Sequence, residues 1–170
     1  NDGLPGNQVV TVTRDASGNI WIGANDGQGV AQYDGTGFKM FTVTNGLGPG
    51  WVSAILAETN GVVWFATSSG GVSPVGGGVT RYDGKTFQNY RMADGLVDDR
   101  VTGICRDTDG TLWFATSSGI SHFDGHRFTN LTEDDGLRLG GGPYWRHSIQ
   151  RGADGSLWIG GSKLDATEGC

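Results

Sequence analysis

Tryptophan, arginine and histidine side chains lie near the start of three of the four similar stretches that make up this 170-residue chain. The members of this set, called the Trp/Arg/His set below, are Trp51, Arg100, Trp145, Arg146 and His147. An indole ring can stack on the face of a sugar, and a guanidinium can bind a carboxylate or sulfate through two parallel hydrogen bonds. Protein interfaces are also enriched in tryptophan and arginine. The set therefore indicates binding of an oligosaccharide or of a protein partner.

Patterns for catalysis or metal binding are sparse. His147 is the only one of the three histidines expected on a strand at the centre of the fold, where an enzyme could use it as a general base. The spacing of the two cysteines, Cys105 and Cys170, matches no metal-binding motif, and Cys105 is expected to be a buried residue within a strand. Residues 107–110 match only the start of a calcium-binding loop. We expect no catalytic residue, no metal site and no cofactor.

The elements that must position these residues repeat four times. A phrase with a central tryptophan recurs at intervals of 43 to 49 residues, at Trp21, Trp64, Trp113 and Trp158. An Asp/Asn-Gly-Leu phrase precedes each tryptophan, and a Tyr/Phe-Asp-Gly phrase follows the first three. Strand-forming runs separated by Asp-Gly and Ser-Gly turns predict four short antiparallel strands per unit. This period and strand number are typical of β-propeller blades.

We therefore predict an all-β chain of about 3.5–4 propeller blades, each a four-stranded antiparallel sheet, within a single segment covering residues 1–170. The predicted blades are residues 2–44, 45–93, 94–134 and 135–170, and the last blade is incomplete. Such a segment either belongs to a larger propeller of the seven-bladed type or closes by self-association through its open blade edges. The repeated tryptophans should fill the space between neighbouring blades.

Positions at which the repeats differ are the best candidates for function. The residues just before the innermost strands are Gln8, Trp51, Arg100 and Trp145, and those two positions later are Val10, Ser53, Thr102 and His147. Two insertions, residues 139–147 and 68–77, lengthen connections of the fourth and second units. Insertions in repeat arrays often lie on the binding face. The first insertion contains Trp145, Arg146 and His147 of the Trp/Arg/His set. The second lies on a different connection, and the sequence alone does not decide at which end of the blades it lies.

Composition limits the partners. The net charge of −6 and the absence of a basic stripe argue against a nucleic-acid partner. No apolar run approaches the length needed to cross a bilayer, so we do not expect this segment to span a membrane.

Taken together, the repeated phrases resemble the two-component regulator propeller repeat. The resemblance rests on GLPGNQV at residues 3–9, GVTRYDG at 78–84 and RDTDGTLWFAT at 106–116. It implies blades of a seven-bladed periplasmic propeller from the sensory region of a membrane-anchored bacterial histidine kinase, often one that responds to polysaccharide breakdown products. The repeat is also similar to blades of virginiamycin-B-lyase-like proteins and, at the Asp-Gly-x-x-Trp turn, to the Asp-box of sialidases.

Three functional hypotheses follow. The first is a non-catalytic periplasmic or extracellular sensor that binds an oligosaccharide or a protein at the Trp/Arg/His set, with the signalling role implied by the resemblance alone. The second is a lyase-like or sialidase-like propeller enzyme. The third is a structural segment that assembles into a homo-oligomer through its open blade edges.

Overall fold

The computed structural model describes residues 3–24, 26, 29–68, 77–138, 147–160 and 162–164. Within these residues the chain forms four antiparallel sheets, three of four strands and one of three, in which each strand pairs with the next along the chain. The predicted all-β architecture of propeller blades is confirmed. Trp145, Arg146 and Cys170 lie outside the described residues.

The strands follow the predicted turns. The first sheet comprises β1 (Val9–Arg14), β2 (Ile20–Ala24), β3 (Val30–Tyr33) and β4 (Phe38–Phe41). The second comprises β5 (Trp51–Ala57), β6 (Val63–Ser68), β7 (Gly77–Tyr82) and β8 (Phe87–Tyr90). The third comprises β9 (Val101–Arg106), β10 (Leu112–Thr116), β11 (Ile120–Phe123) and β12 (Phe128–Leu131). The fourth comprises β13 (Ile149–Arg151), β14 (Leu157–Ile159) and β15 (Ser162–Leu164).

The Asp/Asn-Gly-Leu phrase is the connection between sheets. After the first three sheets, a short 3-10 helix spans Val43–Asn45, Met92–Asp94 and Glu133–Asp135. The last residue of each helix accepts a hydrogen bond from the backbone N–H that precedes the helix, at 2.9 Å. The glycine that follows has φ between 85° and 107°, a left-handed conformation that ends the helix. The leucine then enters the core, as Leu47 does with 2% exposure.

Each of the first three repeated tryptophans is held by the carboxylate that immediately follows the preceding strand. The indole Nε1–H donates to Asp15 from Trp21 at 2.8 Å, and to Glu58 from Trp64 at 2.5 Å. The third repeat has the same bond, at 3.1 Å, from Trp113. Each bond closes the hairpin turn and fixes the orientation of the ring. The acidic residues that recur in the repeat therefore stabilise the hairpin turn and hydrogen-bond the indole.

The core lies between sheets. Trp21 of the first sheet packs with Phe65 and Tyr82 of the second, at centroid distances of 5.4 and 5.9 Å. Trp64 of the second sheet packs in the same way on Phe114 and Phe123 of the third, at 5.9 and 5.8 Å. Each tryptophan thus faces the next sheet, which confirms that these rings fill the space between blades.

Trp158 departs from this pattern. Its side chain is 44% exposed, against 1% for Trp21 and 3% for Trp64. The expectation that every repeated tryptophan lies in the core is wrong at this position, because the described residues place no further sheet on that face. Cys105 is buried at 8% exposure, as predicted, where its sulfur lies in the core between the third and fourth sheets.

This difference generates a stability prediction. Replacing Trp64 with alanine removes a buried ring and its hydrogen bond to Glu58, and should lower the free energy of unfolding by about 3–5 kcal/mol. The matched change Trp158→Ala removes a half-exposed ring and should cost under about 1 kcal/mol. Urea unfolding of both variants in dilute solution measures the two losses, and equal losses would contradict the assigned packing.

Candidate functional site

The first strands of the sheets all begin at one edge, called the entry rim below. Because neighbouring strands are antiparallel, the turns between second and third strands lie at this rim as well. The turns between first and second strands lie at the opposite rim. The predicted site residues that the structure describes, Trp51, Arg100 and His147, stand at or near the heads of β5, β9 and β13 and so belong to the entry rim.

Trp51 is the first residue of β5 and is 38% exposed. It pairs with Ser68 at the end of β6, which holds its backbone in the sheet. No ring contact joins its indole to another aromatic ring in the described ranges. Part of the indole face is therefore available to a ligand at the entry rim.

Arg100 precedes β9 and forms an ion pair with Asp98. The guanidinium Nη2 lies 3.2 Å from one carboxylate oxygen, and Nε lies 3.4 Å from the other. The backbone N–H of Arg100 donates to the same carboxylate at 2.8 Å. The hydroxyl of Ser118, from the turn between β10 and β11, also donates to Asp98, at 2.5 Å. One carboxylate thus organises two segments of the rim.

The carboxylate of Asp98 is charged despite its burial. Asp98 is 8% exposed, and this burial alone would raise its pKa. Hydrogen bonds from Ser118 and Arg100 favour the ionised form and outweigh the burial, so the pKa of Asp98 is lowered. The result is a fixed donor and acceptor pair with little net charge, set beside a solvated surface.

The imidazole of His147 is mostly enclosed. The residue is 6% exposed, and burial lowers the pKa of its ring. Its backbone carbonyl accepts a hydrogen bond of 2.7 Å from the hydroxyl of Thr102 in β9, which ties the fourth sheet to the third. His147 therefore supports the rim structurally and offers little ring surface to a ligand.

The two described residues that border the second-unit insertion lie at the entry rim. Ser68, on one side of it, pairs with Trp51, and Gly77, on the other side, lies against the carbonyl of Asp99. A Cβ on Gly77 would lie only 2.0 Å from that oxygen, and Gly77 has a φ of 124°, so only glycine permits this approach. Ser68 and Gly77 thus lie at the entry rim, near Trp51 and the connection that leads to Arg100, whereas residues 69–76 lie outside the described residues.

Sequence reasoning missed Asp98 and Ser118. Asp98 lies in a connection where the second unit has Pro49, and the acidic pair Asp98–Asp99, which the other units lack, is the signal that could have identified it. Ser118 lies 20 residues further along the chain, so only the paired hairpins show that it reaches the same carboxylate.

A cleft of about 340 Å³ lies at the opposite rim, between the second and third sheets. Its lining includes Glu58, Arg81, Tyr90, Asp109 and Asp124. Burial raises the pKa of Tyr90 and keeps its hydroxyl neutral. No group of three or more metal-ligating side chains occurs within the part of the chain that the structure describes. Among those same residues there is also no helix with the length and apolarity needed to cross a membrane.

Comparison with known proteins agrees with this architecture. Residues 3–26 and 95–118 match the family model of the two component regulator propeller, which confirms the resemblance seen in the repeated phrases. None of the curated proteins matches the sequence significantly.

Solved structures share the fold. The extracellular domain of a protein assigned as a hybrid two component system of B. thetaiotaomicron superposes with a TM-score of 0.77 and 21% identity, covering 94% of this chain and 21% of that one. A second such extracellular domain from the same organism gives 0.63 and 20%, covering 93% and 20%. A catalytically inactive virginiamycin B lyase of Staphylococcus aureus, solved with quinupristin, gives 0.67 and 20%, covering 91% and 49%. The chain thus spans about a fifth of the two extracellular domains and about half of the lyase.

The Asp98 cluster makes a pH-dependent prediction. Because the pKa of Asp98 is lowered on folding, its contribution to stability is present above the unfolded value of about 3.9 and is lost as the pH falls through the folded value. Asp98→Asn should therefore cost roughly 1–3 kcal/mol near neutral pH, and the difference from the parent chain should shrink as the solution is acidified.

Chemical unfolding at a series of pH values measures this difference. Asp134→Asn, an equivalent change at an exposed position of the third 3-10 helix, is the control and should have little effect at any pH. A loss in Asp98→Asn that persists undiminished however far the solution is acidified would show that the charge of the carboxylate is not what stabilises the rim.

Proposed function

We propose that this chain, in which two segments match the two component regulator propeller, is a non-catalytic sensor propeller segment that acts outside the cytoplasm and binds its ligand at the entry rim. The observation that carries the proposal is the family match together with a fold shared with extracellular domains assigned to hybrid two component systems. The entry rim supplies the recognition surface, because it is where the repeats differ from one another.

The chemistry of the rim favours a neutral, hydroxyl-rich ligand such as an oligosaccharide. Trp51 offers an apolar ring face, and Arg100, whose side chain is 30% exposed, offers donors at positions fixed by its ion pair with Asp98. An anionic ligand would compete with Asp98 for the guanidinium and would meet a buried carboxylate that stays ionised. Sugar hydroxyls can instead accept from the exposed part of the guanidinium without disturbing the pair.

The burial of His147 supports the non-catalytic part of the proposal. A general base must come within hydrogen-bond reach of the substrate proton, and this imidazole is 6% exposed. If the enzyme hypothesis were correct, the chain would cleave a substrate bond and His147→Ala would abolish that cleavage. At 20% identity, the similarity to the lyase indicates a shared fold and does not indicate a shared activity.

Binding to a panel of neutral oligosaccharides, with uronic-acid and sulfated oligosaccharides alongside, tests the proposal. We expect a neutral member to bind, and Trp51→Ala to weaken its affinity at least tenfold, about 1.4 kcal/mol, because the stacking surface is lost. Trp158→Ala removes an equally exposed ring that is not part of the entry rim and should leave the affinity unchanged. Isothermal titration calorimetry measures both.

Three outcomes would contradict the proposal in whole or in part. Preference for the acidic oligosaccharides would overturn the argument from the Asp98–Arg100 pair. Equal affinity of the parent chain and Trp51→Ala would place the binding site away from the entry rim. If no oligosaccharide binds but the chain captures a protein partner, and Trp51→Ala abolishes that capture, the ligand would be a protein and the binding site would still be the entry rim.

A further inference from the structure

The cleft between the second and third sheets is separate from the entry rim. It opens at the opposite rim and has a volume of about 340 Å³. Pockets that bind small molecules measure about 300–1,000 Å³, so this cleft suits a ligand smaller than an oligosaccharide. Its walls are two complete four-stranded sheets, and it therefore belongs to an interior junction of the chain.

Aromatic rings form the inner wall of the cleft. Trp64 and Phe123 line it and are only 3% and 5% exposed. Tyr90 of β8 lies between them, with its ring centroid 5.9 Å from that of Trp64 and 5.3 Å from that of Phe123. The indole N–H of Trp64 is already bonded to Glu58, so these rings offer apolar surface to a ligand.

Arg81 brings a positive charge to the cleft. It pairs with Trp64 where β7 meets β6, and residues directly opposite each other in antiparallel strands project to the same face of the sheet. The guanidinium therefore faces the third sheet, as its place in the lining of the cleft also shows. Within the described ranges Arg81 takes part in no ion pair and donates no hydrogen bond.

The hydroxyl of Tyr90 is a second donor near this guanidinium. Burial raises the pKa of Tyr90, and the positive charge of Arg81 opposes that rise, so the two groups lie close together. The hydroxyl has no hydrogen bond within the described residues, yet it is not among the buried polar atoms without a partner there, of which Arg151 Nε is the one example. Water, and so a ligand, can reach it.

Three carboxylates line the cleft, and two of them are paired. Glu58 lies 3.6 Å from Arg106. Asp124 lies 3.4 Å from Arg127. Asp109, in the first hairpin turn of the third sheet, accepts hydrogen bonds from that turn on Oδ1, whereas its Oδ2 accepts none within the described residues. The cleft thus keeps one unpaired cation on the second sheet and one unpaired anion on the third.

The first junction shows that packing between sheets does not require these polar groups. The equivalent residues there are two uncharged side chains and a ring without a hydroxyl: Gln32 for Arg81, Asn60 for Asp109 and Phe41 for Tyr90. Phe41 nevertheless stacks on Trp21 at 5.4 Å, as Tyr90 stacks on Trp64. The second junction therefore has the common aromatic packing and, in addition, two charges and a hydroxyl that the packing does not need.

We propose that this cleft binds a free amino acid with an aromatic or apolar side chain. The α-carboxylate accepts hydrogen bonds from Arg81 and Tyr90, and the ammonium group pairs with Asp109. The side chain of the ligand packs on the rings of Trp64 and Phe123. A guanidinium holds a carboxylate through two parallel hydrogen bonds, and a ligand with both charges is the one that satisfies both unpaired groups of the cleft.

NMR titration of the chain with L-phenylalanine tests the proposal. We expect saturable binding. N-acetyl-L-phenylalanine lacks the ammonium charge and L-phenylalaninamide lacks the carboxylate, so each should bind at least tenfold more weakly than L-phenylalanine. Absence of saturable binding up to the solubility limit of L-phenylalanine would overturn the proposal, and so would equal affinity for L-phenylalanine and its two analogues.

Two variants assign the charges. Arg81→Gln and Asp109→Asn introduce the residue types of the first junction, so we expect both to fold. Arg81→Gln should remove the preference for L-phenylalanine over its amide, and Asp109→Asn should remove the preference over the N-acetyl form. Lys85→Gln and Asp134→Asn make the same charge changes at exposed positions and should keep both preferences. An Arg81 or Asp109 variant that weakens all three ligands equally would show that the residue only supports the fold, which overturns its assigned role.

Trp51→Ala separates this cleft from the entry rim. It should leave the affinity for L-phenylalanine unchanged, because Trp51 lies at the other end of the sheets. Loss of L-phenylalanine binding in Trp51→Ala would place the amino acid at the entry rim and overturn the proposal. Binding of L-phenylalanine to a chain that binds no oligosaccharide would support the cleft and contradict the proposed function alone.

Discussion

The hydrogen bond from an indole N–H to the carboxylate that immediately follows the preceding strand is the interaction on which this structure depends. In the bonds of Trp21, Trp64 and Trp113 it closes the turn of the first hairpin and sets the direction in which the ring points. The ring then fills the gap to the next sheet. In two junctions the same carboxylate also attracts an arginine from that sheet. One polar contact thereby fixes a local turn, a side-chain orientation and the junction between neighbouring sheets.

A consequence is that most residues within the strands have little freedom to change and so to form a ligand-binding site. Both faces of each interior sheet are committed to junctions, since a four-stranded sheet alone leaves its apolar residues exposed. The connections at the entry rim do not pack between sheets, and the sequences of the repeats differ there. Trp51, Asp98 and Arg100 all lie at the entrance to a first strand, where Leu47 and Leu96 anchor the connections in the core. Residues can change at the rim without altering how the sheets stack.

The sequence predicted the parts of the molecule that repeat and could not predict those that depend on what lies opposite. Periodicity was enough for the sheets, the turns, the buried Trp21 and Trp64, and the rim position of Trp51 and Arg100. It could not show that Asp98 holds Arg100 together with Ser118, because that contact joins a connection to a hairpin turn of the same sheet. It also could not separate Trp158 from the other tryptophans, because exposure depends on the neighbouring sheet and not on the phrase itself.

Asp98 links recognition to stability in a way that Trp51 does not. An exposed indole contributes to binding with little cost to the fold when it is removed, whereas the Asp98 carboxylate is buried and takes hydrogen bonds from two segments. Losing that carboxylate would remove the ion pair with Arg100 and release the turn that carries Ser118. The geometry of the donor and acceptor pair at the rim is therefore fixed by the same contacts that stabilise the third sheet. A ligand that uses the pair meets a preorganised surface, which reduces the entropy lost on binding.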